Sequence, residues 1–117
     1  MILSFSSRYR YFIYKLDCDM RKGFDGLSGL VESHFLMDPL QGDVFLFFNR
    51  PRNRVKILLW QGDGFLICHK RLEKGTFELP AGSLSNEITA QQVQFILEGI
   101  HLSSIKHRVR YKMKNAS

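Results

Sequence analysis

Asp43-Val44-Phe45-Leu46-Phe47-Phe48, then Asn49-Arg50-Pro51-Arg52-Asn53, then Arg54-Val55-Lys56-Ile57-Leu58-Leu59-Trp60, then Gln61-Gly62-Asp63-Gly64, then Phe65-Leu66-Ile67-Cys68-His69-Lys70-Arg71-Leu72: this stretch decides the fold. Three runs rich in aromatic and β-branched residues are separated by two short turns built of Asn, Pro, Asp and Gly. Such runs favour extended chain, and turns this short force neighbouring strands to run antiparallel. The stretch therefore predicts a three-stranded meander. Its period of two puts Val55, Ile57 and Leu59 on one face and Lys56, Leu58 and Trp60 on the other.

Working upstream, Arg8–Leu16 is aromatic and loosely alternating, and predicts a further strand. Met20, Phe24, Leu27 and Val31 then recur on one face of a helix of about 14 residues, with Asp17 or Asp19 as its N-cap. Gly23, Gly26 and Gly29 weaken that helix by about 1 kcal/mol each relative to Ala. Their spacing suggests close contact with a sheet, a partner or a phosphate. Downstream, Leu79-Pro80-Ala81-Gly82-Ser83 reads as a loop. Thr89 and Gln92 form a capping box, followed by Val93, Ile96, Leu97 and Ile100 at helical spacing, with Gly99 as the stop. The expected fold class is α+β: an antiparallel sheet, made of the N-terminal strand plus the meander, packed with two helices.

Composition supports one domain. Apolar residues make up 44% of the 117 positions, and ten Phe, four Tyr and one Trp supply core material without a metal or disulfide. No apolar run reaches the length of a membrane span. The first residues do not read as a secretory signal, because Arg8 and Arg10 interrupt the stretch that should be apolar. Cys18 and Cys68 are far apart and form no Cys-x-x-Cys, as expected of reduced thiols in a cytoplasmic protein.

Charge divides the chain. The net charge is +6, yet residues 1–105 hold 12 Lys/Arg against 11 Asp/Glu. The excess sits on Lys106, Arg108, Arg110, Lys112 and Lys114, where there is no acid. We therefore expect a globular domain over residues 1–105 and a basic tail over 106–117, suited either to phosphate contact or simply to solubility.

The chemistry-bearing residues point to binding. The carboxylates form no acid–base pair, with Asp17 and Asp19 placed for capping and Asp63 in a Gly-flanked turn. His34, His69, His101, His107 and the cysteines lack zinc-site spacing, and Cys68 and His69 are strand neighbours that point to opposite faces. No cofactor or metal is expected. Arg21-Lys22-Gly23 at a helix start suits an anion, although the full phosphate-cradling motif is missing. Arg50, Arg52, Arg54 and Lys56 fall at every second position, so an extended hairpin would align them on one side. Lys70 and Arg71 add two further cations.

Taken in order, Asp19-Met20-Arg21-Lys22-Gly23-Phe24-Asp25-Gly26-Leu27, Asn49-Arg50, Arg54-Val55-Lys56-Ile57-Leu58, Trp60, Gly62-Asp63-Gly64-Phe65, Lys70-Arg71-Leu72-Glu73-Lys74-Gly75-Thr76-Phe77 and Leu97-Glu98-Gly99-Ile100 form a specific string. It resembles the small second-frame (TnpB-type, Orf2-like) accessory proteins of the insertion sequence 66 family, over roughly residues 8–102. Gln61 stands where that family commonly has an acid, and Glu78-Leu79-Pro80 where an aromatic often precedes the proline. The resemblance implies a bacterial mobile-element protein that assists a separate, larger transposase carrying the acidic catalytic residues.

The expected function is thus non-catalytic: binding of element-end DNA, of the transposase, or of both. The candidate contacts are Arg21, Lys22, Arg50, Arg52, Arg54, Lys56, Lys70, Arg71, Lys106, Arg108, Arg110, Lys112 and Lys114. Two alternatives stand beside it. One is an interaction module that organises the transposase without touching DNA. The other is a small metal-dependent nuclease using Asp17, Asp19 or Asp63.

Overall fold

The strand Val44–Phe48 (β2) is apolar at all five positions and buried at all five, a pattern that requires cover on both of its faces. The structure, a computed structural model, describes residues 5–80 and 85–99. Around β2 it arranges Tyr11–Tyr14 (β1), Arg54–Trp60 (β3), Phe65–Arg71 (β4) and Glu87–Ile88 (β5) in the order β4-β3-β2-β1-β5. Helix Phe24–Ser33 (α1) lies on one face and helix Ala90–Glu98 (α2) on the other.

The meander forms as the turns dictate, with Val44 opposite Leu59 and Trp60 opposite Phe65. The sheet is nevertheless mixed. β1 runs parallel to β2, Tyr11 beside Val44 and Tyr14 beside Phe47, rather than antiparallel as expected. The long connection through α1 is what permits this, because a parallel neighbour needs a crossover and a tight turn cannot supply one. The two-residue β5, hidden in sequence by its brevity, pairs antiparallel with β1 through Tyr11 and Ile88.

Alternation sorts the core into two layers. Tyr11, Ile13, Val44, Leu46, Phe48, Val55 and Ile57 pack under Val93, Ile96 and Leu97 of α2. Phe12, Tyr14, Phe45, Phe47 and Leu58 pack under Leu27 and Val31 of α1. Each such side chain, fully buried, contributes about 1.5–3 kcal/mol of transfer free energy. Phe12 stacks on Phe45 at 5.5 Å between ring centres, and Phe48 meets Phe77 edge-on at 5.5 Å.

Helix α2 begins and ends where its sequence signals lie. Thr89 Oγ1 accepts the Gln92 N–H at 3.1 Å, Gln92 Oε1 accepts the Thr89 N–H at 2.8 Å, and Gly99 closes the helix at φ 83°. Ile100 lies outside the described residues. Helix α1 is shorter than expected. It starts at Phe24 with Gly23 as an N-cap that offers no side chain, because Asp19 instead organises the turn before it, accepting the Arg21 N–H at 2.9 Å. Leu27 and Val31 are buried as predicted, but Phe24 is half exposed. Close packing does not require the glycines: a Cβ at Gly23 or Gly29 would meet nothing within 4 Å, and one at Gly26 only the Lys22 side chain, at 3.1 Å.

Candidate nucleic-acid interface

In an antiparallel pair, residues directly opposite one another share a face. On β3 and β4 the partners Arg54 and Arg71 form one rung, and Lys56 and His69 form the next. Both rungs lie on the α1 side of the sheet, where Leu58 and Ile67 continue the same face into the core. Four basic side chains thus stand two by two at one end of a sheet face. Lys56 Nζ donates to the Lys22 carbonyl at 2.9 Å, which brings the start of α1 against the same group.

The electrostatics follow from this crowding. The His69 imidazole is held below its ordinary pKa, first by partial burial and then by Lys56, Arg54 and Arg71. Adding a fourth positive charge beside three others is unfavourable. Among the described residues one carboxylate pairs with the ladder: Glu73 Oε1 lies 2.9 Å from Arg71 Nη2, an exposed pair of small energetic weight. Among the described residues the Arg54 guanidinium has no ion-pair partner.

The remaining basic residues are placed differently. Arg50 is exposed at the hairpin tip. Arg52 does not extend the row, because its φ of 60° breaks the alternation there. Its guanidinium folds back to the Phe48 and Asn49 carbonyls at 3.4 and 3.0 Å and to Asp17 at 3.3 Å. Arg21 is exposed but paired with Asp19 at 2.7 Å. Lys70 points to the opposite face and donates to the Leu97 carbonyl at 3.0 Å, near the C-terminal end of α2 where a cation is favoured. Lys106, Arg108, Arg110, Lys112 and Lys114 lie outside the described residues.

His69 is the member that sequence reasoning passed over as a binding residue. As the strand neighbour of Cys68 it belongs on the opposite face, and Cys68 is indeed in the α2-side core. Only the β3–β4 register adds that this face is the one bearing Lys56. Of the carboxylates considered for metal chemistry, Asp17 and Asp19 each hold an arginine. Among the described residues no three His, Cys, Asp or Glu side chains gather at one point. Trp60 and Phe65 meet edge-on at 5.0 Å, both half-buried, at the far end of β3 and β4 from the basic rungs.

Among the described residues no helix is long and apolar enough to cross a membrane. Two curated proteins of Sinorhizobium fredii (strain NBRC 101917 / NGR234) are similar to this chain. One, the uncharacterized protein y4jC, is 31% identical over 93 residues, covering 77% of this chain and 78% of its own. The other, the uncharacterized protein y4hO, is 33% identical over 85 residues, covering 70% and 72%. No solved structure is a significant match. The family model described as IS66 Orf2 like protein matches residues 9–107, which takes in the whole sheet, both helices and every basic residue of the ladder. The chain therefore belongs to the IS66 Orf2-like family, and with it to the accessory proteins of insertion-sequence transposition.

Proposed function

We propose that the chain serves transposition as a non-catalytic DNA-binding accessory protein, and that its basic ladder grips the phosphate backbone at the element ends. The observation that carries this reading is the register of β3 and β4, which collects Arg54, Arg71, Lys56 and His69 on one face. Phosphate binding by such residues releases counterions, so affinity falls steeply with salt. A sheet face presenting cations in two rows suits a backbone, which offers phosphates in series.

The test is titration of the purified chain into a duplex carrying the element's terminal repeat, beside a scrambled duplex, at several salt concentrations. Arg54→Gln with Arg71→Gln should flatten the slope of log K against log salt by about 0.9 for each phosphate that is no longer neutralised. An unchanged slope would overturn the assignment of this face. Preference for the terminal repeat would make the protein an end-recognition factor, and equal binding to both duplexes a basic tether.

A second reading is favoured by a separate observation. Phe24, Leu36 and Leu40 are large apolar side chains left 50%, 83% and 49% exposed around the two ends of α1. Scattered surface leucines are ordinary, but these suit a protein partner such as the transposase. Co-purification of the two proteins from nuclease-treated, high-salt buffer supports that reading, and its failure there removes it.

A further inference from the structure

We infer that a phosphate docking on the Arg54–Lys56–Arg71 face draws a proton onto His69, so that the protein's hold on nucleic acid tightens as pH falls. The inference rests on the phosphate-binding reading of this face and adds a proton to it.

Geometry supplies the grounds. His69 is the register partner of Lys56, sits two residues along β4 from Arg71, and lies diagonally from Arg54. Directly opposed side chains on antiparallel strands have Cβ atoms about 4.5–5.5 Å apart, and diagonal ones about 7–8 Å. An anion held between Lys56 and Arg71 therefore lies within reach of the imidazole, which stands between them in the register. In the free protein the groups facing His69 are Lys56 and Arg54 from β3 and Arg71 from β4, with Glu73 occupied on Arg71. From the α1 side comes Lys22, whose carbonyl holds the Lys56 ammonium, while Asp25 in the first turn of α1 is exposed.

Partly buried and with three cations around it, the imidazole is held below the ordinary histidine pKa. A phosphate seated among them reverses the sign of the local field. It favours the imidazolium, which can then donate from both ring nitrogens where the neutral ring donates from one. The proton comes from solvent, and no covalent step is involved. The other described histidine, His34, meets Tyr14 and Phe35 edge-on after α1 and has no place in this group.

The experiment compares the full-length wild type with His69→Gln, a neutral polar replacement at an exposed strand position that leaves the core untouched. Binding to a short rhodamine-labelled duplex is followed by anisotropy over a salt series at about pH 5.5 and about pH 8, values that bracket an ordinary histidine. Circular dichroism at both pH values checks that each protein is folded. The two proteins should give the same salt slope at the higher pH. At the lower pH the wild-type slope should be steeper than that of the variant by about 0.9, the increment for one further neutralised phosphate. Because His101 and His107 are present in both proteins, the comparison isolates His69. Coincident slopes at both pH values, or a constant offset between them, overturn the inference and leave the binding face standing. Failure of the wild type to bind at either pH overturns both.

Discussion

Arg52 and Asp17 meet at the turn end of the β2–β3 hairpin, with Nη2 3.3 Å from Oδ1 and the arginine side chain only 26% exposed. The same guanidinium donates to the Asn49 carbonyl at 3.0 Å, and the Arg52 carbonyl accepts the Phe77 N–H at 2.7 Å. One residue therefore ties the hairpin to the segment before α1 and to the segment after β4. A residue so committed spends its donors on the fold. Arg52→Ala should lower unfolding stability by about 1–2 kcal/mol, the range for hydrogen bonds to charged groups reduced for partial exposure. It should leave the salt slope of DNA binding unchanged. Urea melts beside the binding titration check both halves, and a flattened slope in folded protein would return Arg52 to the interface.

Asn49 carries a comparable role through neutral atoms. Its Oδ1 accepts the N–H groups of Asn53 and Arg54, each at 3.0 Å, and its Nδ2 donates to Asn53 Oδ1 at 2.7 Å. Asn49→Ala leaves two half-buried amides without their acceptor, and should cost about 1–3 kcal/mol. Asn49→Asp keeps the acceptor and should recover most of that stability. Because Arg54 opens β3, the alanine variant should also weaken DNA binding, measurable in the same anisotropy assay.

The contrast between Arg52 and Arg54 shows where sequence reasoning stops. Period-two alternation was legible along β3, where the pleat alone sets the faces, whereas β2 is apolar at every position and was legible only as a run between turn signals. Alternation failed at Arg52, where the chain enters the left-handed region at φ 60°, a conformation that no side-chain pattern encodes for arginine. The capping box at Thr89 and Gln92 was legible because its two hydrogen bonds are local. The parallel placement of β1 was not, because it depends on where the crossover through α1 lands. The ladder itself needed the β3–β4 register: Lys56 and His69 are 13 positions apart in sequence and become neighbours only when the strands pair.

Leu36 combines two unfavourable features. Its φ is 55°, a region that costs a branched L-residue about 1–2 kcal/mol, and its side chain is 83% exposed. Nothing in the folded chain offsets that strain by burial. Leu36→Asn, a residue that tolerates left-handed backbone, should raise stability by about 0.5–1 kcal/mol in thermal or urea unfolding. If the exposed leucine is an anchor for the transposase, the same variant should co-purify with it less well. Stabilisation with undiminished co-purification would place the partner surface elsewhere.

Asp19 and Arg21 give the pH prediction. The carboxyl of Asp19 is lowered to about 2, first by the side-chain hydrogen bonds from Arg21 and then by the Arg21 N–H. A carboxylate ordinarily titrates near pH 3.9, so the folded protein binds the proton less readily than the unfolded chain does. The pair's stabilisation is therefore fully present above about pH 4 and is lost as pH falls from there towards about 2. Asp19→Asn removes that dependence. The stability difference between wild type and variant should stay constant from neutral pH down to about 4 and shrink below it. The variant also releases Arg21, which sits beside Lys22 at the edge of the ladder and in the wild type spends its guanidinium on Asp19 at 2.7 Å. Duplex binding by Asp19→Asn should tighten, with a salt slope steeper by about 0.9 if the freed arginine reaches one phosphate. A slope equal to that of the wild type would confine the footprint to β3 and β4 and leave Arg21 as a turn residue.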